Sequence, residues 1–218
     1  MQKSRKQFQS ERSQAAILDA AMNLICKHGF SGTTLDLIAS EAGLSKGTIF
    51  WHFENKEKLF LAVVDTIREG LQRGLLRNLR EGQTARQRLN LLLDNYTSLI
   101  ETNCSRCLDL TVLIIEMVET NPAVAGKLRN LFGELAGLLE SLLEEGLRTG
   151  EIIRALDPEM TAYAIVGNLQ GMTVQYYLNR DRILYKRLMG AYKRMVAAGL
   201  FGTSSRSVTA RQRQKLKE

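Results

Sequence analysis

Residues 33–52 read TTLDLIASEAGLSKGTIFWH, and the fold is decided there. Thr33 with Asp36 three positions later matches the hydroxyl-to-carboxylate pattern that opens a helix. Leu35, Ile38, Ala39 and Ala42 then recur at three- and four-residue steps, which gives that helix one apolar face. Gly43 stops it by supplying a backbone angle that a side chain would resist, and Ser45 suits the N-cap of a second, short helix from Lys46 to about Trp51. Ala39 is small where the two helices must cross, while Leu44 and Ile49 can pin both to a preceding helix. Ser45, Lys46, Gly47 and Thr48 are left facing outward at the N-terminus of the second helix, where side chains meet base edges and amides meet phosphate. A small helical bundle would use the same glycine turn, so spacing alone leaves both readings open.

Upstream, Ala16, Ile17, Ala20, Ala21, Leu24 and Ile25 mark an amphipathic helix from about Ser10 to His28, closed by Gly29 as a left-handed cap. Downstream, Asn55 can cap a helix with the stripe Leu59, Val63, Ile67 and Leu71. A weak break at Glu81 to Gln83 precedes a helix to about Thr102, and another runs from Leu108 to Glu119. Asn121-Pro122 turns the chain, because proline ends a preceding helix but suits the first turn of a new one. A leucine-rich helix from Leu128 ends near Gly150, Asp157-Pro158 opens the next, and Ile183 to Leu200 forms the last. The expectation is an all-α protein of about nine to ten helices, with no strand.

The net charge of +7 is carried by the ends. Residues 1–14 carry +3, residues 203–218 carry +4, and everything between sums to zero. Two basic tails on a neutral body fit a protein that binds a polyanion. The longest apolar run, Leu110 to Ile115, falls far short of the roughly 20 residues that cross a bilayer, so no membrane role and a cytoplasmic location are expected. Cys26, Cys104 and Cys107 cannot all pair, and with His28 and His52 the only histidines no tetrahedral ligand set is apparent; neither metal nor cofactor is expected. No nucleophile–base pair or phosphate-cradling glycine loop points to an enzyme.

Three blocks carry a resemblance: Gly29-Phe30-x-x-Thr33-Thr34, Ile38-Ala39-x-x-Ala42-Gly43-Leu44-Ser45-x-Gly47, and Phe50-x-His52-Phe53-x-x-Lys56-x-x-Leu59. Together they resemble the DNA-binding signature of the bacterial tetracycline-repressor (TetR-like) family over about residues 11–71. The resemblance implies a three-helix helix-turn-helix domain whose third helix enters the major groove. Carried over by position, Thr33 and Thr34 would contact phosphate, Ser45, Lys46, Gly47 and Thr48 would approach bases or backbone, and His52 and Lys56 would clamp phosphates beyond. The family usually has tyrosine where this chain has Phe50 and Trp51; Phe50 would touch a thymine methyl, and the Trp51 indole NH can still reach a phosphate.

Composition marks a basic flexible arm at residues 1–10 and a basic disordered tail at 203–218, and the resemblance implies an effector-binding and dimerisation domain at 72–202. Partners would be double-stranded operator DNA, an unidentified small-molecule effector and a second copy of the chain. Tyr96, Leu99, Cys107, Leu113, Met117, Met172 and Tyr176 are candidates for an effector pocket, and Leu135, Leu138, Leu142, Gly167, Gly171 and Val174 for the dimer interface. The expected function is a ligand-responsive repressor on a palindromic operator. The alternatives are a non-specific architectural DNA binder and a regulator that senses oxidants or electrophiles through Cys104 and Cys107. Lys46→Ala is expected to change operator preference and Lys56→Ala to weaken binding with a shallower salt dependence, both read from salt titrations of DNA affinity.

Overall fold

The computed structural model describes residues 4–152 and 155–201, without the side chains of 103–112. Cys104 and Cys107, and with them the thiol-sensor reading, lie outside the described residues, as does the expected tail beyond 202. Among the described residues the chain forms α1 (Arg5–Gly32), α2 (Leu35–Ala42), α3 (Lys46–Phe53), α4 (Lys56–Leu75), a 3-10 turn (Leu79–Glu81), α5 (Ala85–Thr120), α6 (Pro122–Arg148), α7 (Pro158–Leu178) and α8 (Tyr185–Leu200), with no strand.

Most helix starts are fixed by the side chains that the sequence offers. Ser45 accepts from the Thr48 amide at 3.1 Å, Asn55 from Lys58 at 2.8 Å and Asp157 from Met160 at 3.1 Å, each satisfying a donor that the first turn leaves orphaned. For α2 the cap is Thr34, not Thr33: the Thr34 hydroxyl accepts from Leu37 at 3.2 Å. Residues 5–10, expected as a flexible arm, are instead the opening turns of α1. Ser4 and Gln7 form a reciprocal capping box there, Ser4 Oγ accepting from the Gln7 amide and Gln7 Oε1 from the Ser4 amide.

One further expectation gives way. The helices drawn separately to Thr102 and from Leu108 are one continuous α5, because nothing between them breaks helical backbone. Gly29 adopts positive φ (69°) and breaks the helical backbone after His28 as expected, though with extended ψ (−177°), and one more turn follows across this kink to Gly32. Asn121 serves two helices at once: its amide donates to Met117 O at 3.0 Å to close α5, and its Oδ1 accepts from Val124 at 3.0 Å to open α6.

Apolar residues gather into two cores. The first joins α1–α4 (Ile17, Ile38, Ile49, Leu59 and Phe60 among others) to Leu113 and Met117 of α5 and to Val124, Leu128 and Leu131 of α6. The second is built from Leu89, Leu92 and Ile100 of α5, Leu139 and Leu143 of α6, Ile165 and Leu169 of α7, and Tyr185, Met189 and Tyr192 of α8. The last turns of α5 and the first of α6 thus belong to the N-terminal core, well past the expected boundary at residue 71. Asn121→Ala is expected to lower stability by about 1–2 kcal/mol, because it removes an N-cap and a bond of 3.0 Å to Glu57 of α4; thermal unfolding would measure it.

Candidate DNA interface and effector cavity

Gly43 provides the turn between α2 and α3 in left-handed conformation (φ 64°, ψ 32°), and the Leu44 amide donates to Ala39 O at 3.0 Å. Ile38, Ala39, Ile49 and Phe53 point inward, so the opposite faces are left to solvent. Thr34, Ser45, Lys46, Gly47, Phe50 and Trp51 are exposed on that side, Trp51 retaining 71% of its surface. Thr48 is half-buried, and its hydroxyl lies 2.8 Å from Ser45 Oγ. His52 Nε2 sits 2.7 Å from Ser13 Oγ of α1, and burial lowers the imidazole pKa. Ser13 Oγ also lies 2.9 Å from Ser10 O, so the hydroxyl ties His52 to the opening turns of α1.

Two expected phosphate contacts are differently employed. Thr33 is fully buried and donates its hydroxyl to Gly29 O at 2.7 Å, so Thr34 alone of that pair presents a side chain. Lys56 is half-buried: Nζ donates to Phe30 O at 2.6 Å and lies 4.2 Å from the Phe30 ring centroid. The ammonium braces the start of α4 against the kink in α1, and its stem is not extended toward solvent.

The kink is held from the other side by Glu116 of α5. Its carboxylate accepts from the Phe30 amide at 3.0 Å, the Ser31 amide at 2.8 Å and the Ser31 hydroxyl at 2.6 Å. Burial acts to raise the Glu116 pKa, but these bonds and nearby Lys56 outweigh it and hold it below the ordinary carboxylate range. Lys56 is pushed below its ordinary value by burial, against the pull of Glu116. In the sequence Glu116 stood out only as one acid in an apolar stretch.

A cavity of about 200 Å³ lies between α4, α5, α6 and α7. Leu71, Leu75, Leu131, Phe132, Leu135 and Leu138 make it apolar, with Gln72, Glu134, Tyr96, Gln170 and Thr173 as its polar points. Of the expected pocket residues only Tyr96 lines it. Leu113 and Met117 are in the N-terminal core, Leu99 packs against Gly74 of α4, Tyr176 stacks on Tyr185 at 5.4 Å, and Cys107 lies outside the described side chains. Met172 borders a separate groove on α7 with Gly167 and Gly171. Leu135 and Leu138, expected at a dimer contact, face the cavity, and Leu142 is buried in the second core. Gly167 and Gly171 are exposed and Val174 half-buried, so that part of the expected interface remains accessible. At the cavity's edge Arg68 of α4 grips Glu134 of α6 through Nε (2.9 Å) and a terminal nitrogen (2.7 Å).

A helix-turn-helix with an outward second helix, joined to a helical body with an apolar cavity, is the architecture of a DNA-binding regulator. Residues 17–63 match the model described as bacterial regulatory proteins, tetR family, and residues 85–192 the tetracyclin repressor-like C-terminal domain. The chain belongs to the tetR family of bacterial regulatory proteins, and it is a DNA-binding transcriptional regulator. It is 23% identical over 184 residues to the fatty acid metabolism regulator protein of Bacillus subtilis, covering 84% of this chain and 93% of that one. It is 25% identical over 201 residues to the regulator TtgR of Pseudomonas putida, covering 90% and 93%. Its fold is that of the B. subtilis regulator FadR solved with stearoyl-CoA (TM-score 0.74, 22% identity, 85% of this chain and 98% of that one). It also matches AibR solved with isovaleryl coenzyme A and operator DNA (TM-score 0.69, 21% identity, 87% and 98%). No helix among the described residues is long and apolar enough to cross a membrane.

Glu116→Gln should cost about 1–3 kcal/mol at neutral pH, since two amides lose a charged acceptor. The folded-state pKa is depressed, so the carboxylate's contribution is present above its ordinary value and is lost as pH falls through the depressed one. Denaturant titrations should show the gap between wild type and Glu116→Gln closing below about pH 4.

Proposed function

We propose that the protein is a cytoplasmic homodimer that reads a palindromic operator with two copies of α3 and is released from it by an acyl thioester or a similar molecule with an apolar chain. The observation that carries this reading is the cavity's position: α4 forms its wall through Leu71, Gln72 and Leu75, and the same helix begins at Lys56, just after α3. Over 20 residues α4 spans about 30 Å, so displacement at the cavity end moves the end that carries the reading helix. An apolar cavity of 150 Å³ takes up a benzene, so about 200 Å³ admits a branched alkyl group or part of a longer chain. The polar remainder of such a ligand would lie beside Gln72, Glu134 and Gln170. The crystallised complexes of FadR with stearoyl-CoA and of AibR with isovaleryl coenzyme A support this ligand class.

The dimer would form on the outer face of α7. Tyr163, Tyr177 and Leu178 are exposed there, and a Cβ added at Gly167 or Gly171 would meet nothing, leaving room for another helix to approach closely. A two-fold dimer places its reading helices about 34 Å apart, or a multiple of that, on a palindrome. Thr34, Ser45, Gly47, Thr48, Phe50, Trp51 and His52 would share the DNA contact with Lys46. Footprinting on selected genomic fragments should reveal a protected palindrome; uniform protection would instead indicate an architectural binder. Leu135→Trp, which fills the cavity, should raise the stearoyl-CoA or isovaleryl-CoA concentration for half-release at least about tenfold while leaving effector-free operator affinity within about threefold. An unchanged half-release concentration would overturn the effector assignment.

A further inference from the structure

Residues 33–60 carry Lys46, Lys56 and Lys58 against Asp36, Glu41, Glu54 and Glu57, a net charge of −1 on the segment meant to meet a polyanion. Each of the three lysines is already engaged. Lys56 is held by Phe30 O, Lys46 Nζ lies 2.8 Å from Asp36 Oδ2, and Lys58 Nζ lies 2.5 Å from Glu54 Oε2. The two ion pairs are open to solvent, with Asp36 and Glu54 side chains 70% and 71% exposed, and exposed pairs of this kind contribute little to stability.

Glu54 stands out for a second reason. It ends α3 with φ 59° and ψ −47°, a positive-φ conformation outside the left-handed helical region that glycine adopts at much lower cost. Its backbone amide closes the helix on Phe50 O at 3.0 Å, a bond that any non-proline residue would make. Helix termination therefore makes no use of the Glu54 carboxylate, which pairs with Lys58 instead. Asp36 likewise sits in the first turn of α2, beside the first residue of the reading helix.

We infer that Asp36 and Glu54 are built-in counter-ions that set the specificity of the DNA interface. This rests on the reading of the exposed α2–α3 face as that interface. In the free protein they occupy the ammonium groups of Lys46 and Lys58. A phosphate offers those lysines a carboxylate-like acceptor and so displaces the internal one with little gain, which suppresses sequence-independent attraction. At the operator a guanine edge presents O6 and N7 acceptors in fixed geometry that add to the phosphate contacts, so Lys46 leaves Asp36 most readily where the bases match. Affinity for random DNA is thereby lowered more than affinity for the operator.

The test compares full-length wild type, Asp36→Asn/Glu54→Gln and Lys46→Ala/Lys58→Ala on a random 30-base-pair duplex and on a selected operator, across a salt series. The neutralised variant should bind random DNA about tenfold more tightly, with the log–log salt slope steeper by about one to two, since each newly available lysine adds about 0.9. The operator-to-random ratio should fall accordingly. Glu54→Gly is expected to raise the melting temperature and random-DNA affinity together, a combination that a merely structural carboxylate would not give. If the neutralised variant keeps the wild-type slope and ratio while Lys46→Ala/Lys58→Ala weakens binding, the counter-ion role is overturned and the interface stands. If neither variant changes DNA binding, the assignment of this face falls as well.

Discussion

The carboxylate of Glu116, set against the kink at Gly29, is the constraint on which the placement of the DNA-binding helices depends. A residue at φ 69° and ψ −177° interrupts α1, and the turn that follows starts with amides that have lost their helical acceptors. Those amides belong to Phe30 and Ser31, beside a ring packed edge-on against Phe60 at 4.2 Å. Leaving them unpaired would carry a desolvation cost, and Glu116 removes it from the last turns of α5. A Cβ at position 29 would lie 2.9 Å from Glu116 Oε2, so glycine answers both the backbone angle and the approach of the carboxylate. Lys56 completes the joint by donating to Phe30 O and by balancing the charge. α1, α4 and α5 meet at this one point.

Legibility in the sequence followed the range of the interaction. The helix-turn-helix could be read because its determinants are local: the Gly43 turn, the Ser45 and Asn55 caps, and an apolar face recurring within ten residues. The slip from Thr33 to Thr34 has an equally local cause, since adjacent threonines offer the same hydroxyl and only burial of one decides between them. Residues 103–107 lack apolar periodicity, so the continuity of α5 could not be read there, although helical backbone passes through. The joint at Glu116 was out of reach, because its partners are 85 and 86 residues away. Most of the cavity was missed for another reason. Leucines on α4 and α6 repeat at helical spacing whether they fill a core, line a void or face a second chain, and Leu135, Leu138 and Leu142 were accordingly placed at the dimer contact.

Charge separates along the chain in a way that composition alone concealed. The cations in excess lie at the two ends, while the helix-turn-helix balances its own lysines with carboxylates. Because Ser4 and Gln7 cap α1, Arg5 and Arg12 are presented by a helix and not by a loose arm. Under the proposed function, long-range attraction and sequence reading would fall to different elements, which would let each be set without compromising the other.

The two cores are not separate compartments, and this shapes how an occupant of the cavity could be felt at the DNA. Leu128 and Leu131 of α6 lie in the core of the DNA-binding helices, while Leu131, Phe132, Leu135 and Leu138 line the cavity. Leu131 belongs to both sets, and Phe132 packs against both cores. From Leu128 to Leu135 is seven residues of helix, about 10 Å. Arg68 with Glu134, and Lys127 with Asp65, tie the same stretch of α6 to α4. A close-packed interior passes displacement on and does not absorb it, so a ligand that parts α4 from α6 acts directly on side chains already in contact with the helix-turn-helix. No long relay of residues is required; the wall of the cavity and the floor of the DNA-binding core are successive turns of one helix.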